Sequence, residues 1–524
     1  MLLLHVLSPF GSRQTALLWI GLLFWLATGS ACRSTPAASD PPERLPNIVL
    51  IYVDDLGYGD ISAYGAQPGL TPHLDRLADQ GMRFTDAHCA AATCTPSRYA
   101  LLTGSYAFRN DASILPGDAP LIIDPAQPTL PSMLQEAGYA TAVVGKWHLG
   151  LGRGHVDWNA SVRPGPQDIG FDYSFLIPAT GDRVPTVYLE NDLVVNLDPE
   201  DPISVSYREP IEGVVTGRAH PEQLRMPADD QHSETIVNGI SRIGYMKGGE
   251  AALWTDEDFP FLLTEKATSF IQQHQDQPFF LYFSYHDIHV PRLPHPDFQG
   301  KSGMGPRGDA IVQVDWMSGQ IMTQLDSLGL AENTLIIFTS DNGPVLNDGY
   351  EDEAVEQLGD HHPAGPFRGG KYSAYEAGTR VPTLVAWPGH VQPGVSDALL
   401  SQVDLFASLA ELLPADSSRE TGPDSEPRLA AWLGKAATGR QQMIEESYTL
   451  SLREGDWKYI RPVKRNRPTW LKDKNIEGGF LAIPQLYDLS QDPGEQNNLA
   501  VRYPERVAAM EASLQRIEAA ETSE

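Results

Sequence analysis

Residues 47–53 read NIVLIYV, and Asp54 and Asp55 follow at once. This run is almost wholly apolar and rich in β-branched residues, which is typical of a strand buried on both faces of a parallel sheet. Three later runs share the design, namely residues 139–144, 278–284 and 334–339. Candidate helices lie between the runs, so the sequence predicts an α/β fold built on a mostly parallel sheet.

Polar and ionisable residues follow each of the four runs. They are Asp54 with Asp55, Lys146 with His148, His286 with His289, and Asp341 with Asn342. In an open parallel sheet, ligands bind outside the carboxyl ends of the strands, so we expect these clusters to converge on one site. Any one cluster taken alone could be a solvated loop.

A cysteine lies where the sequence predicts the N-terminus of a helix. Residues 94–104 read CTPSRYALLTG; Pro96 suits the first helical turn, and Gly104 is a natural terminator. Unpaired backbone N–H groups and the helix dipole make such a position favourable for an anion, and Arg98 adds a fixed cation one turn on. A buried free cysteine beside an ordinary helix cap is the alternative interpretation of Cys94.

The chain is strongly acidic. Its 524 residues carry 38 Lys and Arg against 68 Asp and Glu, a formal net charge of -30. This charge argues against nucleic acid or an anionic membrane surface as a partner. It does not exclude an anionic substrate, because a local cationic pocket can hold an anion on an acidic protein.

Residues 1–31 are predicted to be a secretory signal peptide. They contain Arg13, an apolar run at 16–26 that is too short for a membrane span, and small residues before Cys32. A cysteine directly after small residues resembles a bacterial lipoprotein cleavage site, with Cys32 lipidated; release of a free soluble protein is the alternative. Residues 32–45 are predicted to be a flexible tether. We therefore expect an exported bacterial protein, periplasmic or membrane-anchored, that contacts the membrane only through a lipid.

The sequence CTPSR at residues 94–98, followed by LLTG, resembles the signature of the type I sulfatases, an arylsulfatase-like family of the alkaline-phosphatase-like superfamily. Further motifs of that family follow in order between Asn47 and Pro388. The resemblance implies a catalytic domain over residues 46–397, with a large mixed sheet between helices. It also implies a smaller subdomain over residues 398–524, with a short antiparallel sheet and a helix.

In that family the signature cysteine is oxidised to formylglycine by a maturation enzyme, and its hydrated aldehyde is the nucleophile. The resemblance thus implies that Cys94 becomes formylglycine and that the protein hydrolyses sulfate monoesters. A sulfated carbohydrate is the favoured substrate over a phenol sulfate.

Three carboxylates and one amide are expected to form a metal site. Asp54, Asp55 and Asp341 with the Asn342 carbonyl are a hard, all-oxygen set suited to Ca²⁺ or Mg²⁺. Adjacent carboxylates would repel each other unless a cation separated them, although an Asx turn at each strand end is the alternative. By resemblance, these four positions bind calcium, and the formylglycine oxygen at Cys94 completes the site; magnesium remains possible.

The remaining site residues are assigned by matching the family's motifs. A sulfate ester needs cations on its oxygens, a nucleophile and a proton donor for the departing alcohol. The resemblance implies that Arg98 steadies the nucleophile and that Lys146 and Lys371 hold sulfate oxygens. It implies that His289 is the acid for the leaving group and that His148 assists the formylglycine hydrate.

Two further residues and two segments are predicted to lie near the substrate or in loops. His286 and Thr180 are predicted to contact substrate. Residues 198–259 lack clear periodicity and are predicted to be irregular loops that shape the pocket. Residues 348–360 carry six acids among thirteen positions, for which a solvated loop is preferred over a substrate-facing rim.

Two other functions compete with a sulfatase. A phosphatase or phosphonate hydrolase of the same superfamily would usually need two zinc ions and several histidines, and the all-oxygen set disfavours it. An inactive binder of sulfated glycans is the second, and the presence of every expected catalytic residue disfavours that one.

Overall fold

The run at residues 47–53 is strand β1 (Asn47–Val53), near the middle of a ten-stranded sheet in the computed structural model. All of its residues are buried, as the apolar pattern predicts. Ile48, Leu50 and Tyr52 pack into one apolar core, whereas Val49 and Ile51 pack into another. Both faces of the sheet are therefore covered.

The structure describes residues 44–414, 420–464, 466, 468–472, 474 and 476–520. Residues from Leu45 onward form one compact unit. The predicted signal peptide (residues 1–31) lies outside the described residues, as does the predicted tether up to residue 43. Within the described ranges, no helix combines the length and the apolar character needed to span a membrane.

The strands follow the predicted order along the chain, with short strands added between the main ones. After β1 they are β2 (Met82–Phe84), β3 (Ala87–His88), β4 (Ala140–Lys146), β5 (Tyr173–Ile177), β6 (Leu189–Glu190), β7 (Leu193–Val194), β8 (Ser204–Ser206), β9 (Ile236–Val237), β10 (Ile240–Ser241), β11 (Tyr245–Lys247), β12 (Phe279–Ser284), β13 (Thr334–Ser340), β14 (Thr383–Ala386), β15 (Gly394–Ser396), β16 (Leu400–Ser401), β17 (Gln442–Glu446), β18 (Leu450–Glu454), β19 (Trp457–Ile460) and β20 (Gln485–Asp488). The large sheet has the order β15-β2-β14-β13-β1-β12-β4-β5-β6-β7. Its central strands β13, β1, β12, β4 and β5 are all parallel, and β14 runs antiparallel to β13. The predicted mostly parallel, mixed sheet is confirmed.

Helices cover both faces of this sheet. They are α1 (Pro72–Gln80), α2 (Cys94–Thr103), α3 (Leu130–Glu136), α4 (Phe259–Gln273), α5 (Gly305–Ser327), α6 (Leu405–Ala410), α7 (Leu429–Trp432) and α8 (Pro504–Ala519). The cores show that α2, α3 and α6 pack on one face and that α1, α4 and α5 pack on the other. This arrangement is the predicted sandwich, because each face of a buried parallel sheet needs an apolar cover.

The C-terminal part contains the predicted small antiparallel sheet, in the order β17-β18-β19-β20, with α8 packed against it. Its first strand is joined to the loop before α2. Glu446 N–H donates to the Ala90 carbonyl (3.0 Å), and Ala92 N–H donates to the Glu446 carbonyl (2.7 Å). The domain boundary proposed after residue 397 stays a prediction; α6 packs within the core of the large sheet.

The segment 198–259 is less irregular than predicted. It contains two small antiparallel pairs, β9 with β10 and β8 with β11. These strands have two or three residues each, too short to give a readable alternation in the sequence.

Candidate active site

The four polar clusters converge, as the strand pattern predicts. Strands β13, β1, β12 and β4 are neighbours in the sheet, and all four are parallel. In register, Val53 lies opposite Ser340, and Ser284 lies opposite Gly145. The residues that follow these positions therefore leave the sheet at one edge and at one level.

Cys94 is the first residue of α2, as predicted. The whole helix is buried, and Gly104 ends it in the left-handed conformation (φ 62°). The Cys94 side chain is held against His148, with 3.3 Å between Sγ and Nδ1. Burial raises the pKa of the Cys94 thiol, while the charges of Lys146 and Lys371 act in the opposite direction. Residue 94 thus lies beside two of the predicted cations.

The predicted metal ligands form one buried cluster. Asp341 Oδ2 accepts hydrogen bonds from Arg98 Nε (2.9 Å) and Nη2 (2.7 Å). Asp55 Oδ1 accepts one from Asn342 Nδ2 (2.7 Å). Asp54, Asp55, Asp341 and Asn342 are all fully buried. Four oxygen-bearing side chains from two neighbouring strands therefore meet away from solvent.

Two acceptor oxygens in this cluster lack a protein donor among the described residues. They are Asp54 Oδ1 and Asn342 Oδ1, and both are buried. Burial, with the nearby Asp341 charge, raises the pKa of Asp54 well above its usual value, and burial also raises that of Asp55. Buried oxygens without donors and crowded carboxylates are what a bound divalent cation would satisfy. The donor set therefore fits a hard metal ion.

An imidazole lies closer to this cluster than the all-oxygen prediction anticipates. Ligand atoms of Asp54, Asp55 and His289 all lie within 4.8 Å of one another. His289 Nε2 is 3.9 Å from Asp55 Oδ2. The possible metal site thus borders directly on the predicted acid.

Two lysines form ion pairs with the carboxylates of the cluster. Lys146 forms an ion pair with Asp54. Lys371 Nζ donates to Asp55 Oδ2 (2.8 Å) and to Asp348 Oδ2 (3.0 Å). Both predicted sulfate-binding lysines are buried and lie within the cluster.

His148 and His289 each have one ring nitrogen bound to a backbone carbonyl. His148 Nε2 lies 2.9 Å from the Leu115 carbonyl, which leaves Nδ1 beside the Cys94 sulfur. His289 Nδ1 lies 2.7 Å from the Val290 carbonyl, which leaves Nε2 towards Asp55. Burial and nearby lysines lower the pKa of both rings well below the usual value. Each ring is therefore neutral at pH 7, and its remaining nitrogen can accept a proton.

The two residues predicted to contact substrate are engaged with a neighbouring loop. Gly181 N–H donates to His286 Nε2 (2.9 Å), and burial lowers the pKa of His286 to about 3. A Cβ atom at position 181 would lie only 2.5 Å from that nitrogen, so the close approach requires glycine. The Thr180 hydroxyl bonds to Asp182 and accepts a hydrogen bond from Arg183 Nη1 (2.9 Å). Their contact with substrate stays a prediction.

Sequence reasoning missed several charged residues at this site. Asp348 is 3% exposed and bridges Lys371 and Lys474, the latter at 2.9 Å. Asp182 accepts from Arg183 and lies 3.3 Å from His232 Nε2. Buried loop residues of this kind follow no periodic pattern in the sequence that would distinguish them from solvated ones. Lys474 could have been noticed, since residues 461–474 carry six Lys and Arg in an acidic chain.

The prediction of a solvated loop at residues 348–360 is wrong for its two innermost acids. Asp348 and Asp352 are both buried. Asp352 Oδ2 accepts a hydrogen bond from Arg292 Nη1 at 2.6 Å. Buried acids in proteins are paired, and the partners here come from distant parts of the chain that a sequence pattern does not reveal.

A cavity of about 700 Å³ opens over the N-terminus of α2. Thr93 and Pro96, which flank Cys94, lie in its wall. Other parts of the wall come from residues 111–116, from Arg183, and from the connection between β17 and β18. This volume is within the usual range of small-molecule sites, roughly 300–1,000 Å³.

A second cluster of possible metal ligands, Asp86, His88 and Glu376, is already filled by cations. Glu376 pairs with Arg453 and with Lys458, each at 3.0 Å. His88 Nε2 lies 2.9 Å from Asp86 Oδ1. Among the described residues, this cluster joins loops next to the large sheet to the C-terminal sheet, and its carboxylates pair with Arg and Lys side chains.

Residues 46–415 match the family model described as Sulfatase. The chain is 52% identical over 479 residues to an N-acetylgalactosamine-6-O-sulfatase of Bacteroides thetaiotaomicron, an alignment that covers 90% of this chain and 93% of that protein. It is 34% identical over 478 residues to human arylsulfatase A, covering 87% and 83% of the two chains.

Two solved structures are also similar to this chain. A Bacteroides thetaiotaomicron structure, described in connection with the metabolism of multiple glycosaminoglycans, superimposes with a TM-score of 0.88 at 51% identity and covers 91% of this chain and 100% of that chain. A sulfatase from Pseudoalteromonas superimposes with a TM-score of 0.66 at 25% identity, covering 91% and 90%.

Proposed function

Because the chain belongs to the sulfatase family of sulfuric ester hydrolases, we propose that it removes sulfate from a sulfated carbohydrate. The relative at 52% identity acts, by its name, on the 6-O-sulfate of N-acetylgalactosamine. We take that sugar sulfate as the first candidate substrate. The observation that carries the proposal is the meeting of Cys94, two lysines and a carboxylate cluster next to a cavity large enough for a sugar, whose wall includes Thr93 beside Cys94 and Tyr372 beside Lys371.

The nucleophile in this proposal is a modified residue 94. As an unmodified thiol, Cys94 is buried and its pKa is raised, so little of it would be thiolate. Oxidised to formylglycine by a maturation enzyme, residue 94 would supply a hydrated aldehyde that attacks the sulfur atom of the sulfate ester. His148 Nδ1, 3.3 Å from the Cys94 sulfur, is placed to accept a proton from a hydroxyl at that position.

The residues that would hold calcium are Asp54, Asp55, Asp341 and Asn342, together with an oxygen on residue 94. The two buried oxygens without donors support this assignment, and magnesium also suits the set. Calcium would supply positive charge that fixes the nucleophile's oxygen. The position of calcium next to residue 94 is inferred from the resemblance to the sulfatase family.

Charge balance explains how an acidic protein could hold a sulfate ester. Four carboxylates face four cations at the site: Asp54, Asp55, Asp341 and Asp348 against Arg98, Lys146, Lys371 and Lys474. These charges cancel, so a bound divalent cation leaves the site positive. Lys146 and Lys371 could then turn towards sulfate oxygens, and Arg98 would stay on Asp341.

His289 is the proposed proton donor to the departing sugar oxygen. Its Nδ1–H is held by the Val290 carbonyl, so the ring presents Nε2 to the site. The ring would have to gain a proton at Nε2 before it acts, and an approaching sulfate anion favours that protonation. His286, tied to Gly181, would position the neighbouring loop.

The competing functions are less well supported. A phosphatase with two zinc ions would need several histidines in the metal cluster, and among the described residues the cluster contains His289 alone. An inactive glycan binder would not need His148 beside residue 94 or a lysine pair on the carboxylates.

We also propose that the protein is exported, either anchored by a lipid on Cys32 or released as a free periplasmic protein. The support comes from the sequence of residues 1–31. Mass spectrometry of the mature N-terminus tests this, since a peptide that still carries residues 1–31 would contradict it.

The substrate is tested with matched sugar sulfates and the purified, matured enzyme. We expect the highest kcat/KM on N-acetylgalactosamine 6-O-sulfate. The controls are its 4-O-sulfate isomer, which moves the ester, and N-acetylglucosamine 6-O-sulfate, which inverts one hydroxyl. If the enzyme releases sulfate from none of these saccharides but releases phosphate from a phosphate monoester, the proposal is overturned.

A further inference from the structure

Among the described residues, the wall of the cavity at the N-terminus of α2 contains neighbours of the proposed chemical residues, namely Thr93, Pro96 and Tyr372, rather than those residues themselves. Its far wall is the connection between β17 and β18, with Glu446, Ser447, Tyr448 and Thr449. This wall comes from the C-terminal sheet, whereas the catalytic residues leave the large sheet. Any group that fills the cavity must therefore touch both parts of the chain.

Glu446 is fixed rigidly in this wall. Its backbone bonds to both Ala90 (3.0 Å) and Ala92 (2.7 Å). Ala91 lies opposite Glu446 in a parallel bridge. Ala91 and Cys94 are three residues apart, so their backbones are separated by at most about 11 Å. Glu446 lies one strand spacing, about 4.8 Å, from Ala91, so its backbone is within about 16 Å of that of residue 94, a separation that the two side chains and a sulfated sugar ring can bridge.

The next residue of the wall is tied to the loop that carries Lys371. Ser447 Oγ donates to the Tyr372 carbonyl (2.6 Å), and Tyr372 N–H donates to the Ala92 carbonyl (2.7 Å). The wall, the Cys94 loop and the Lys371 loop are thus one hydrogen-bonded unit. A substrate group that contacts Glu446 would therefore have a fixed position relative to residue 94.

The Glu446 carboxyl has no cation as a partner among the described residues. Its Oε2 accepts one hydrogen bond, from Phe108 N–H at 2.9 Å. The side chain is partly exposed and lies in the cavity wall. Burial raises its pKa to about 8, which favours the protonated form at neutral pH; a protonated carboxyl can both donate and accept a hydrogen bond.

We propose that Glu446 is a specificity-determining residue that hydrogen-bonds a hydroxyl or acetamido group of the sulfated sugar. The inference rests on the proposed function, because it requires a sugar in the cavity. A carboxyl group in the cavity wall can hydrogen-bond a neutral sugar group, and a sugar without that group loses this bond and binds more weakly. Glu446 takes no part in proton transfer, since it lies in the wall on the C-terminal sheet.

The test compares Glu446→Ala and Glu446→Gln on two substrates. On N-acetylgalactosamine 6-O-sulfate, we expect Glu446→Ala to raise KM about tenfold with little change in kcat, because one hydrogen bond is lost equally in the ground and transition states. On 4-nitrophenyl sulfate, which has no sugar hydroxyl, we expect no change beyond about twofold. Glu446→Gln keeps the acceptor for Phe108 N–H, so its KM on the sugar sulfate should lie between those of wild type and Glu446→Ala.

Galactose 6-O-sulfate separates the two possible partners. If the acetamido group is the partner, the KM of wild type should be higher on galactose 6-O-sulfate than on N-acetylgalactosamine 6-O-sulfate. Glu446→Ala should then have the same KM as wild type on galactose 6-O-sulfate. If a hydroxyl is the partner, the variant should lose the same factor on both sugars. Glu454→Gln, at the opposite end of the β17–β18 pair, is the matched control and should behave as wild type.

Equal losses on the sugar and on 4-nitrophenyl sulfate would overturn the inference, and so would an unchanged KM in both Glu446 variants. In either case wild type still cleaves the sugar sulfate, so the proposed function stands. If wild type cleaves no sugar sulfate, both proposals fall. Melting temperatures of the variants show whether a loss comes from misfolding.

Discussion

Cys94 occupies a position that makes the unmodified thiol a poor nucleophile. Burial raises its pKa, and His148 Nδ1, 3.3 Å from its sulfur, belongs to a ring whose own pKa is lowered. We predict that the peptide carrying residue 94, taken from active protein, contains an aldehyde in place of the thiol. Mass spectrometry of the digest measures this. Fully active enzyme that contains only unmodified cysteine would contradict it.

One buried oxygen of Asp54 has no hydrogen-bond donor among the described residues, and loss of this carboxylate should affect metal binding directly. We predict that Asp54→Asn lowers the calcium content below one ion per chain and abolishes the rise in melting temperature on adding calcium. The activity should fall about 100-fold or more, since a metal supplies several kcal/mol of stabilisation. Elemental analysis measures the content. Asp352→Asn is the control, because Asp352 is equally buried but pairs with Arg292.

His289 is tested by the leaving group it is proposed to protonate. A sugar alkoxide leaves poorly, so His289→Ala should lower kcat/KM on a sugar sulfate by about 10²–10⁴. An activated aryl sulfate leaves unaided and should lose much less. Lys371→Ala is the comparison, since a sulfate-holding residue serves both substrates alike. Equal losses on both substrates in His289→Ala would remove the acid assignment.

At the scale of elements, buried charges join the C-terminal sheet to the loop that carries Lys371. Glu376 is fully buried and pairs with Arg453 on β18 and Lys458 on β19. Its own backbone N–H donates to Glu495 Oε2 at 2.6 Å. The small sheet therefore supports the active site as well as the cavity wall.

We predict that Glu376→Gln lowers the free energy of unfolding by about 1–3 kcal/mol, since Arg453 and Lys458 each lose one buried charge partner and keep another, Asp86 and Glu445. Burial alone would raise the pKa of Glu376, but Arg453 and Lys458 hold it well below its usual value. Its stabilisation is therefore present at neutral pH and is lost as the pH falls below the usual glutamate range. Denaturant unfolding across pH measures both effects. Glu454→Gln, with an effect within about 0.5 kcal/mol, is the surface control.

At the scale of the whole molecule, the net charge of -30 repels a polyanionic substrate at long range. We predict that raising the salt from about 10 mM to about 150 mM increases kcat/KM on a sulfated polysaccharide, because the Debye length shrinks from about 30 Å to about 8 Å. A small monosulfated sugar should respond less. A fall in kcat/KM with salt would instead show that the basic run at 461–474 governs the approach of substrate.

The sequence by itself determined the sheet and the meeting point of the catalytic residues. An apolar run such as residues 47–53 needs burial on both faces, and parallel strands place their carboxyl ends at one edge. Asp54, Lys146, His289 and Asp341 could therefore be expected together from their positions after such runs. The helix that begins at Cys94 was also predictable, because Pro96 and Gly104 act through local backbone geometry.

Only the tertiary structure decided which charges pair and what surrounds the substrate. Asp348 and Lys474 are more than 120 residues apart, yet they meet at 2.9 Å, and Glu446 reaches the cavity through a bridge to Ala91. Loop acids and lysines have no period that marks burial, so their sequence pattern is that of solvated residues. Their partners are fixed by how the C-terminal sheet packs on the large one. Local sequence carries the backbone preferences, whereas pairing of buried charges depends on distances that exist only once the chain has folded.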